Sequence, residues 1–577
     1  MSKIKNYFRN LVRKTISGDS LSLLSSLSPG NIRRNSEYLE WFGAKVVGFV
    51  NEYIDKNQIL DSFYLKRLNK IFKTDRFNLF IKKWLMDYFY LLFGMLNNLA
   101  EQNSQTGRTI ELEDDSLNHF IVEKYLARFN APIKICWKPK VSLVCKVLKI
   151  FKLLFSLLVV SLGTGIKFNS EVKKYKVMRE AVWGLYDIGG KYYHDDFFVD
   201  GRIIKKEDLL LFTRGTPTEG GGRQKGCSDA QKSTYSHFTL GTLPLGVKEL
   251  IGRIIPNYLF ASCLLFKEVF FLNYSLFYSL WSYFVFTALS HEKVFSNYRI
   301  SSELGHSYAS AFHMAESIVC QSYGTKYYLM HWSDGSMTIN NFALSFLGCD
   351  GFFVWGNAHA HWTRKEGNVA LPIGYLFKRF VKDSLLRKQG LLGEMGVRSC
   401  SKIISFFDET FGDGTKMTPA HYINFWQAAL SLADKKLDID VLIKPKVLQR
   451  YHSLPDELKT KFLDLKAKID KTPNIHIIDS NKWSFIEVIG VSDIVVTQGM
   501  TTSATIAIIC GIQGLYLDEA RYNHRFSQQF KDKLVFDLPE KLLFMVERIL
   551  SGEEDPLGSI PQSLLREFDA YPDDRGI

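Results

Sequence analysis

The residues best suited to bind an anion follow predicted strands in the last third of the chain. They are Gly412 and Gly414, Lys444, and the run of Gln498, Gly499, Thr501, Thr502 and Ser503. The glycines form a flexible loop, and the lysine places positive charge at a strand end. The hydroxyl residues open a helix whose N-terminal amides suit a phosphate or diphosphate. Helix capping is the alternative interpretation of those hydroxyls, but three such strand ends together favour a ligand.

A second candidate anion site is the glycine-rich stretch 214–226. Arg214 directly follows a predicted strand at 208–213, and Gly221, Gly222 and Arg223 come after it. Glycines permit close approach of the backbone to a ligand, and the arginines add positive charge. The stretch matches neither the P-loop pattern nor the GxGxxG dinucleotide fingerprint. A mobile surface loop is the alternative interpretation.

His331 and Asp334 are the candidates for acid–base chemistry. His331 ends a predicted strand at 326–331, and Asp334 lies in the turn after it. A histidine in this position can act as general base toward an acceptor hydroxyl or donate to a phosphate. A purely structural histidine is the equal alternative.

No metal site is expected. His359 and His361 are suitably spaced for a metal pair, but a third ligand at suitable spacing is missing from the sequence. Asp438 and Asp440 form a DxD triplet that precedes its predicted strand. We therefore predict a solvated turn there.

The elements that must position these residues alternate regularly between 402 and 550. Short apolar runs predict strands at 403–407, 441–444, 475–478, 494–497 and 515–517. Between them, amphipathic patterns predict helices at 419–432, 455–469, 484–491 and 502–510. This alternation predicts a doubly wound parallel sheet, in which ligands bind at the carboxyl ends of the strands.

The middle of the chain shows the same alternation of predicted strands and helices, with fewer elements. Predicted strands at 208–213, 326–331 and 350–355 and a helix at 307–322 indicate βαβ construction. We therefore expect an α/β protein of two Rossmann-like domains with a helical N-terminal extension. The expected divisions are a helical region at 1–180, a first domain at 181–375, a nucleotide-binding domain at 376–555 and a tail at 556–577.

Composition narrows the class of partner. The chain has 577 residues and a formal net charge of +13, which implies attraction to something anionic. The sequence has no compact basic run interleaved with aromatics and no recognised nucleic-acid motif, so no nucleic-acid partner is expected. The eight cysteines form no CxxC, which favours reduced cytosolic thiols. The basic segment 1–15 lacks a following signal-peptide core, so export is not expected.

Two apolar segments bear on membranes. Segment 141–166 carries Lys146, Lys149 and Lys152 ahead of an uncharged run, a pattern that suits the interface with anionic lipid. Segment 269–289 contains no charge and is long enough to span a bilayer. A buried aromatic-rich core helix pair is the main alternative for this second segment. Surface attachment, which would make this a cytoplasmic protein peripheral to a membrane, comes next, and a true span comes last.

The chain resembles the GT-B glycosyltransferases, especially those of bacterial capsule and O-antigen biosynthesis, over about 208–550. Three pieces carry the resemblance: 315–335, with Tyr323-Gly324 and the turn at 331–335; 350–356 followed by 372–374; and 492–497 followed by 502–511 and 515–518. Met330 stands where such families often carry glutamine, and 501–507 lacks their usual glutamate.

The resemblance implies metal-independent transfer from a nucleotide sugar, without a cofactor, to a lipid-linked or oligosaccharide acceptor at the inner membrane. The C-terminal domain would hold the nucleotide through Gly412, Gly414, Lys444 and the 501–503 helix start. Arg214 and the 220–223 loop would close over the departing phosphate, and His331 or Asp334 would orient or deprotonate the acceptor. A nucleotide-sugar 2-epimerase shares the fold, and a non-catalytic membrane-peripheral scaffold is a third alternative.

Overall fold

The computed structural model describes most of the chain, in nineteen segments. These are residues 36–106, 109–129, 133–138, 142–162, 165–167, 172–180, 204–214, 236–240, 243–268, 274–305, 311–331, 345–365, 368–375, 378–397, 401–411, 417–435, 438–480, 482–521 and 528–572.

The described part of the N-terminal region, from Ser36 onwards, is largely helical, and its core is continuous with that of a parallel sheet. Its helices are α1 (Ser36–Lys56), α2 (Phe63–Phe72), α3 (Arg76–Thr106) and α4 (Ser116–Phe129), with a parallel strand pair β1 (Thr109–Glu113) and β2 (Lys134–Lys138). Ser62 caps α2 by accepting from the amide of Leu65. The Phe72 ring at the end of α2 packs edge-on against Phe284, 5.3 Å away between centroids. These helices therefore share one apolar core with the first sheet.

The first sheet has seven parallel strands in the order β11-β10-β9-β8-β4-β5-β6. Their bounds are β4 (Lys173–Glu180), β5 (Leu209–Arg214), β6 (Ser236–Leu240), β8 (Tyr298–Gly305), β9 (Lys326–Met330), β10 (Gly351–Val354) and β11 (Ala370–Pro372). Two further residue pairs, β3 (Ile166–Lys167) and β7 (Leu245–Gly246), form a small parallel ladder. β4 pairs with β5 and β8, which corrects the expected boundary at 180, because the sheet already includes the preceding strand.

Five described helices lie between β2 and β11 along the chain. They are α5 (Leu143–Leu162), α6 (Val247–Glu268, with π geometry at Leu250–Leu259), α7 (Tyr274–Phe295), α8 (Phe312–Ser322) and α9 (Asn357–Lys365). α7 covers most of the uncharged segment predicted as either core or membrane-facing, and its Phe277, Trp281 and Phe284 are fully buried. The described residues of that segment thus form a core helix. Among the helices that the structure describes, α6 is the one long and apolar enough to cross a membrane by length and composition alone, and 39% of its apolar window is buried.

The second sheet has six parallel strands in the order β14-β13-β12-β15-β16-β17. The strands are β12 (Lys402–Phe407), β13 (Ile439–Lys444), β14 (Ile475–Ile477), β15 (Ile494–Gln498), β16 (Gln513–Leu517) and β17 (Val535–Phe536). The first five match the predicted strands within a few residues, and β17 is an addition. Asp440 lies inside β13, fully buried, 3.0 Å from His476 Nε2. The predicted solvated turn is therefore wrong for Asp440, because β14 buries that carboxylate and places a polar partner beside it.

The helices of this half begin where local chemistry favours a start. They are α10 (Lys378–Leu386), α11 (Lys388–Met395), α12 (Pro419–Ala433), α13 (Asp456–Ile469), α14 (Phe485–Val491), α15 (Thr502–Ile509) and α16 (Pro539–Leu550). Capping boxes start α12 at Thr418 with His421 and α14 at Ser484 with Glu487. Each box satisfies backbone amides that the first helical turn leaves without partners.

The C-terminal segment returns to the first domain. Helix α17 (Gln562–Phe568) leads to Ala570, whose amide donates to the carbonyl of Trp355 at 2.8 Å. A Cβ at Gly356 would lie 2.2 Å from the carbonyl oxygen of Glu567, so the chains meet closely there. Asp569 pairs with Lys378 and accepts from the amide of Tyr375. What was expected to be a tail therefore joins the two halves.

Candidate functional site

The carboxyl ends of three adjacent strands meet at one edge of the second sheet. Phe407, the last residue of β12, is in register with Lys444 of β13 on one side and Thr497 of β15 on the other. The Gln498 side chain, 1% exposed, accepts from the amide of Glu409 at 3.0 Å. The fold thus brings together Lys444, Gln498 and the start of the loop after β12, as the strand pattern predicted.

Asp408 is a buried acid with a strongly shifted pKa at this edge, and the sequence reasoning missed it. Its carboxylate accepts from the amide of Lys446 at 2.6 Å and from Trp426 Nε1 at 3.2 Å. Burial raises the pKa of Asp408 to about 7, against the opposing effect of those two donors. An acid that titrates near neutrality at a strand end can accept or return a proton under ordinary conditions.

Lys444 is similarly shifted, in the opposite direction. Burial lowers the pKa of its ammonium to about 8, while the charges of Asp408 and Asp479 act to raise it. Beside it, Lys446 forms an ion pair with Glu409, whose carboxylate also accepts from the amide of Thr410 at 2.7 Å. The edge therefore combines a buried ammonium that is charged at neutral pH with a set of fixed carboxylates.

The turn into α15 is built tightly around Gly499. This glycine has φ +67, and its amide donates to the carbonyl of Leu517 at 2.7 Å. The Thr501 side chain makes no capping hydrogen bond to the helix. Thr501, Thr502 and Ser503 are all partly exposed. The capping explanation thus fails for Thr501, and the first turn of α15 opens towards solvent beside Gln498.

Of the predicted site residues not yet described, only Arg214 and His331 lie among the described residues. Arg214 ends β5, in register with Leu240 at the carboxyl edge of the first sheet. The remaining ones lie outside the described residues, and they are Gly221, Gly222, Arg223, Asp334, Gly412 and Gly414.

His331 lies directly after β9 and is almost fully buried. Its amide donates to the carbonyl of Phe353 at 2.8 Å, and its carbonyl accepts from Trp355 Nε1 at 3.1 Å. Its ring centroid is 4.3 Å from that of His359. Burial, reinforced by His359, holds the pKa of His331 well below its usual range, so the imidazole is neutral at pH 7. His359 thus faces His331.

Comparison with known proteins gives structural matches only. No family model matches the chain, and no curated protein matches it. Among solved structures, a UDP-GlcNAc 2-epimerase from Neisseria meningitidis bound to UDP-GlcNAc matches at 13% identity and a TM-score of 0.37, covering 62% of this chain and 95% of its own. The wall teichoic acid polymerase TagF matches at 11% and 0.39, covering 75% and 92%. A UDP-forming α,α-trehalose-phosphate synthase from Burkholderia xenovorans, in complex with glucose-6-phosphate, matches at 10% and 0.38, covering 70% and 98%.

Proposed function

We propose that this chain is a glycosyltransferase of bacterial surface-polysaccharide biosynthesis, moving a sugar from a nucleotide-sugar donor to a glycan acceptor. The observation that carries the proposal is the edge formed by β12, β13 and β15. There a buried lysine, a buried glutamine and an open helix start lie at neighbouring strand ends. This position is where open parallel sheets bind nucleotides.

The leaving nucleotide sets the chemistry required of this edge. As the bond to the sugar breaks, negative charge grows on the diphosphate or monophosphate, and groups already fixed around it stabilise that charge. Lys444 supplies a full charge, and the N-terminal amides of α15 supply aligned dipoles. Gly412 and Gly414 complete the donor side of the proposal, and Arg214, Gly221, Gly222 and Arg223 close over the phosphate from the first domain. No cofactor is required for such a displacement.

The acceptor side is the first domain, with His331 or Asp334 as the group that orients or deprotonates the acceptor hydroxyl. His331 is neutral at pH 7, as a general base must be, but its lowered pKa also makes it a weak base, which favours an orienting role.

The acceptor in this proposal is lipid-linked, and the protein works at the cytoplasmic face of the inner membrane. Helix α5 exposes Leu143, Val144, Leu148, Phe151 and Phe155 along one stripe, and lysines alternate with them. The stripe continues onto a neighbour, because the Phe151 ring contacts Phe266 of α6 at 5.6 Å. An apolar stripe flanked by lysines suits a surface of anionic lipid.

The decisive experiment assays a panel of nucleotide sugars with full-length protein, with and without a lipid extract as acceptor. Release of nucleotide together with labelled lipid product supports transfer. Lys444→Ala should lower turnover by roughly 10–100-fold, the value of a charged hydrogen bond of about 1.5–3 kcal/mol. The matched control is Lys471→Ala, an exposed lysine at the opposite, amino-terminal edge of the sheet.

Three outcomes contradict the proposal. Sugar isomerisation without any acceptor would make the chain a 2-epimerase. Absence of turnover with every donor would favour a scaffold. Full activity of Lys444→Ala would remove the donor site from this edge.

A further inference from the structure

A cluster of metal-ligand side chains lies sealed between the first sheet and two of its helices. His291 belongs to α7, Glu303 to β8 and Glu316 to α8, and the side chains of all three are fully buried. No residue at the edge formed by β12, β13 and β15 takes part in the cluster. Its three members come from separate elements, so only the tertiary fold brings them together.

The distances within the cluster match a shared ion. His291 Nε2 lies 3.0 Å from Glu303 Oε1 and 3.7 Å from Glu316 Oε1. One ligand atom from each residue falls within 4.8 Å of the other two. Ligands at about 2.0–2.2 Å from a tetrahedral zinc ion lie roughly 3.4 Å apart, so these atoms need only small shifts to bind one.

Each carboxylate directs its second oxygen to an outer donor. Glu303 Oε2 accepts from Cys320 Sγ at 3.0 Å, and Glu316 Oε2 accepts from the Tyr327 hydroxyl at 3.2 Å. Outer donors that fix the orientation of ligating carboxylates are a regular feature of protein metal sites.

Gly305 leaves the space that the Tyr327 hydroxyl occupies in this arrangement. A Cβ on Gly305 would lie 2.2 Å from the Tyr327 hydroxyl oxygen, so only glycine at this strand position lets the hydroxyl reach Glu316. The cluster and its outer donors are thus fitted to one another across β8, β9 and α8.

Charge balance favours a cation at the centre. Two carboxylates withdrawn from water are costly unless a positive charge compensates them. Arg76 donates to Ser317, the neighbour of Glu316 in the chain, but its guanidinium pairs with Asp350 at 3.1 Å. That arginine is therefore already committed to another carboxylate.

We infer that His291, Glu303 and Glu316 bind a divalent transition-metal ion, with zinc the best match to a ligand set of one imidazole and two carboxylates. The ion holds α7, β8 and α8 together inside the first domain. It is a structural ion, and the sugar transfer proposed above does not pass through it. Binding requires both carboxylates and the imidazole in their deprotonated forms.

The first test is the metal content of full-length protein purified without chelator or metal-affinity resin. We expect near-stoichiometric zinc or another divalent transition ion that survives dialysis. Protein freed of metal should take up Co²⁺ and develop visible d–d absorption bands. If purified protein carries only traces and the metal-free protein takes up neither Zn²⁺ nor Co²⁺, the carboxylates share protons with the histidine and the inference is overturned.

The second test uses a mild substitution with a matched control. Tyr327→Phe removes the outer donor to Glu316 and should weaken zinc binding about 10–100-fold in chelator competition. Tyr323→Phe removes an equivalent hydroxyl that donates to Glu292 at 2.6 Å, outside the cluster, and should leave zinc affinity unchanged. Equal affinities of the two variants would overturn the assignment. Because both tests measure bound metal, they are independent of whether the chain transfers sugar.

Discussion

Asp408 and Lys444 lie at adjacent strand ends, and both titrate within a unit or so of neutral pH. Burial raises the pKa of Asp408 to about 7 and lowers that of Lys444 to about 8. The negative charge of Asp408 acts to raise the pKa of Lys444, so the lysine keeps its charge more readily when the aspartate is ionised. Between about pH 7 and pH 8 the edge holds both charges, and outside this window it loses one of them.

We first predict a pH dependence of nucleotide binding. The affinity for a nucleoside diphosphate should fall as the pH rises through about 8, because Lys444 then loses its charge. Protonation of Asp408 below about pH 7 removes a nearby negative charge and should strengthen binding. Calorimetric titration from about pH 6 to about pH 9 checks both signs. Lys444→Arg should abolish the loss above about pH 8, since arginine stays charged, and an unchanged profile in this variant would assign the titration to another group.

A second prediction concerns stability and Asp408 alone. The pKa of Asp408 is raised from 3.8 to about 7 in the folded chain. Its neutral form therefore stabilises the fold below about pH 4, and this contribution is lost as the pH rises through about 7. The upper limit is about 4 kcal/mol in the free energy of unfolding.

Asp408→Asn keeps the shape of the side chain and cannot ionise. The difference in free energy of unfolding between wild type and this variant should shift in favour of the variant as the pH rises from about 4 to about 8. Denaturant titrations at a series of pH values measure it. A constant difference over this range would mean that Asp408 has an ordinary pKa in the folded protein.

The second sheet was predictable because its strands are short, apolar and buried on both faces. Periodicity also located Lys444 and Gln498, since the residues after parallel strands share one edge. Asp408 could not be singled out in the same way. Its burial depends on Trp426 of α12 and on the amide of Lys446, contacts that form only when three elements meet.

The first sheet was harder to predict for a related reason. β4 begins Lys173-Lys174-Tyr175-Lys176-Val177, and these charged residues interrupt the apolar pattern by which a buried strand is recognised. The strand nevertheless pairs with a neighbour on each side. In the second sheet, β17 has only two residues, too few for any periodicity. The cluster of His291, Glu303 and Glu316 has no sequence signature either, because its members come from a helix, a strand and another helix.

A third prediction tests the turn that opens α15. Gly499→Ala places a side chain at φ +67, where a Cβ would lie 2.3 Å from Met417 Cε. The strained backbone alone costs about 1–2 kcal/mol in the free energy of unfolding, and the contact with Met417 adds to this. Nucleotide affinity should fall too, because the turn positions the first amides of α15.

The contact and the backbone strain can be separated. In a Met417→Ala background the contact disappears, so Gly499→Ala should there cost only the backbone strain. Denaturant unfolding of the four proteins in this cycle gives the coupling between the two positions. Additive losses would show that Met417 moves aside without cost.

The last prediction concerns the exposed stripe of α5. Phe151→Asp with Phe155→Asp removes two aromatic rings that are 57% and 52% exposed and adds negative charge beside Lys152. Inserting one phenylalanine side chain into an apolar phase contributes about 1.5–3 kcal/mol, and each lysine near an anionic surface adds about 1 kcal/mol. The double variant should therefore bind phosphatidylglycerol vesicles at least about tenfold more weakly in co-sedimentation. Phe544→Asp is the matched control for Phe151→Asp alone, because Phe544 is 58% exposed on α16 of the other half. Equal losses from both substitutions would mean that lipid adheres to any exposed ring, and the stripe would have no special role.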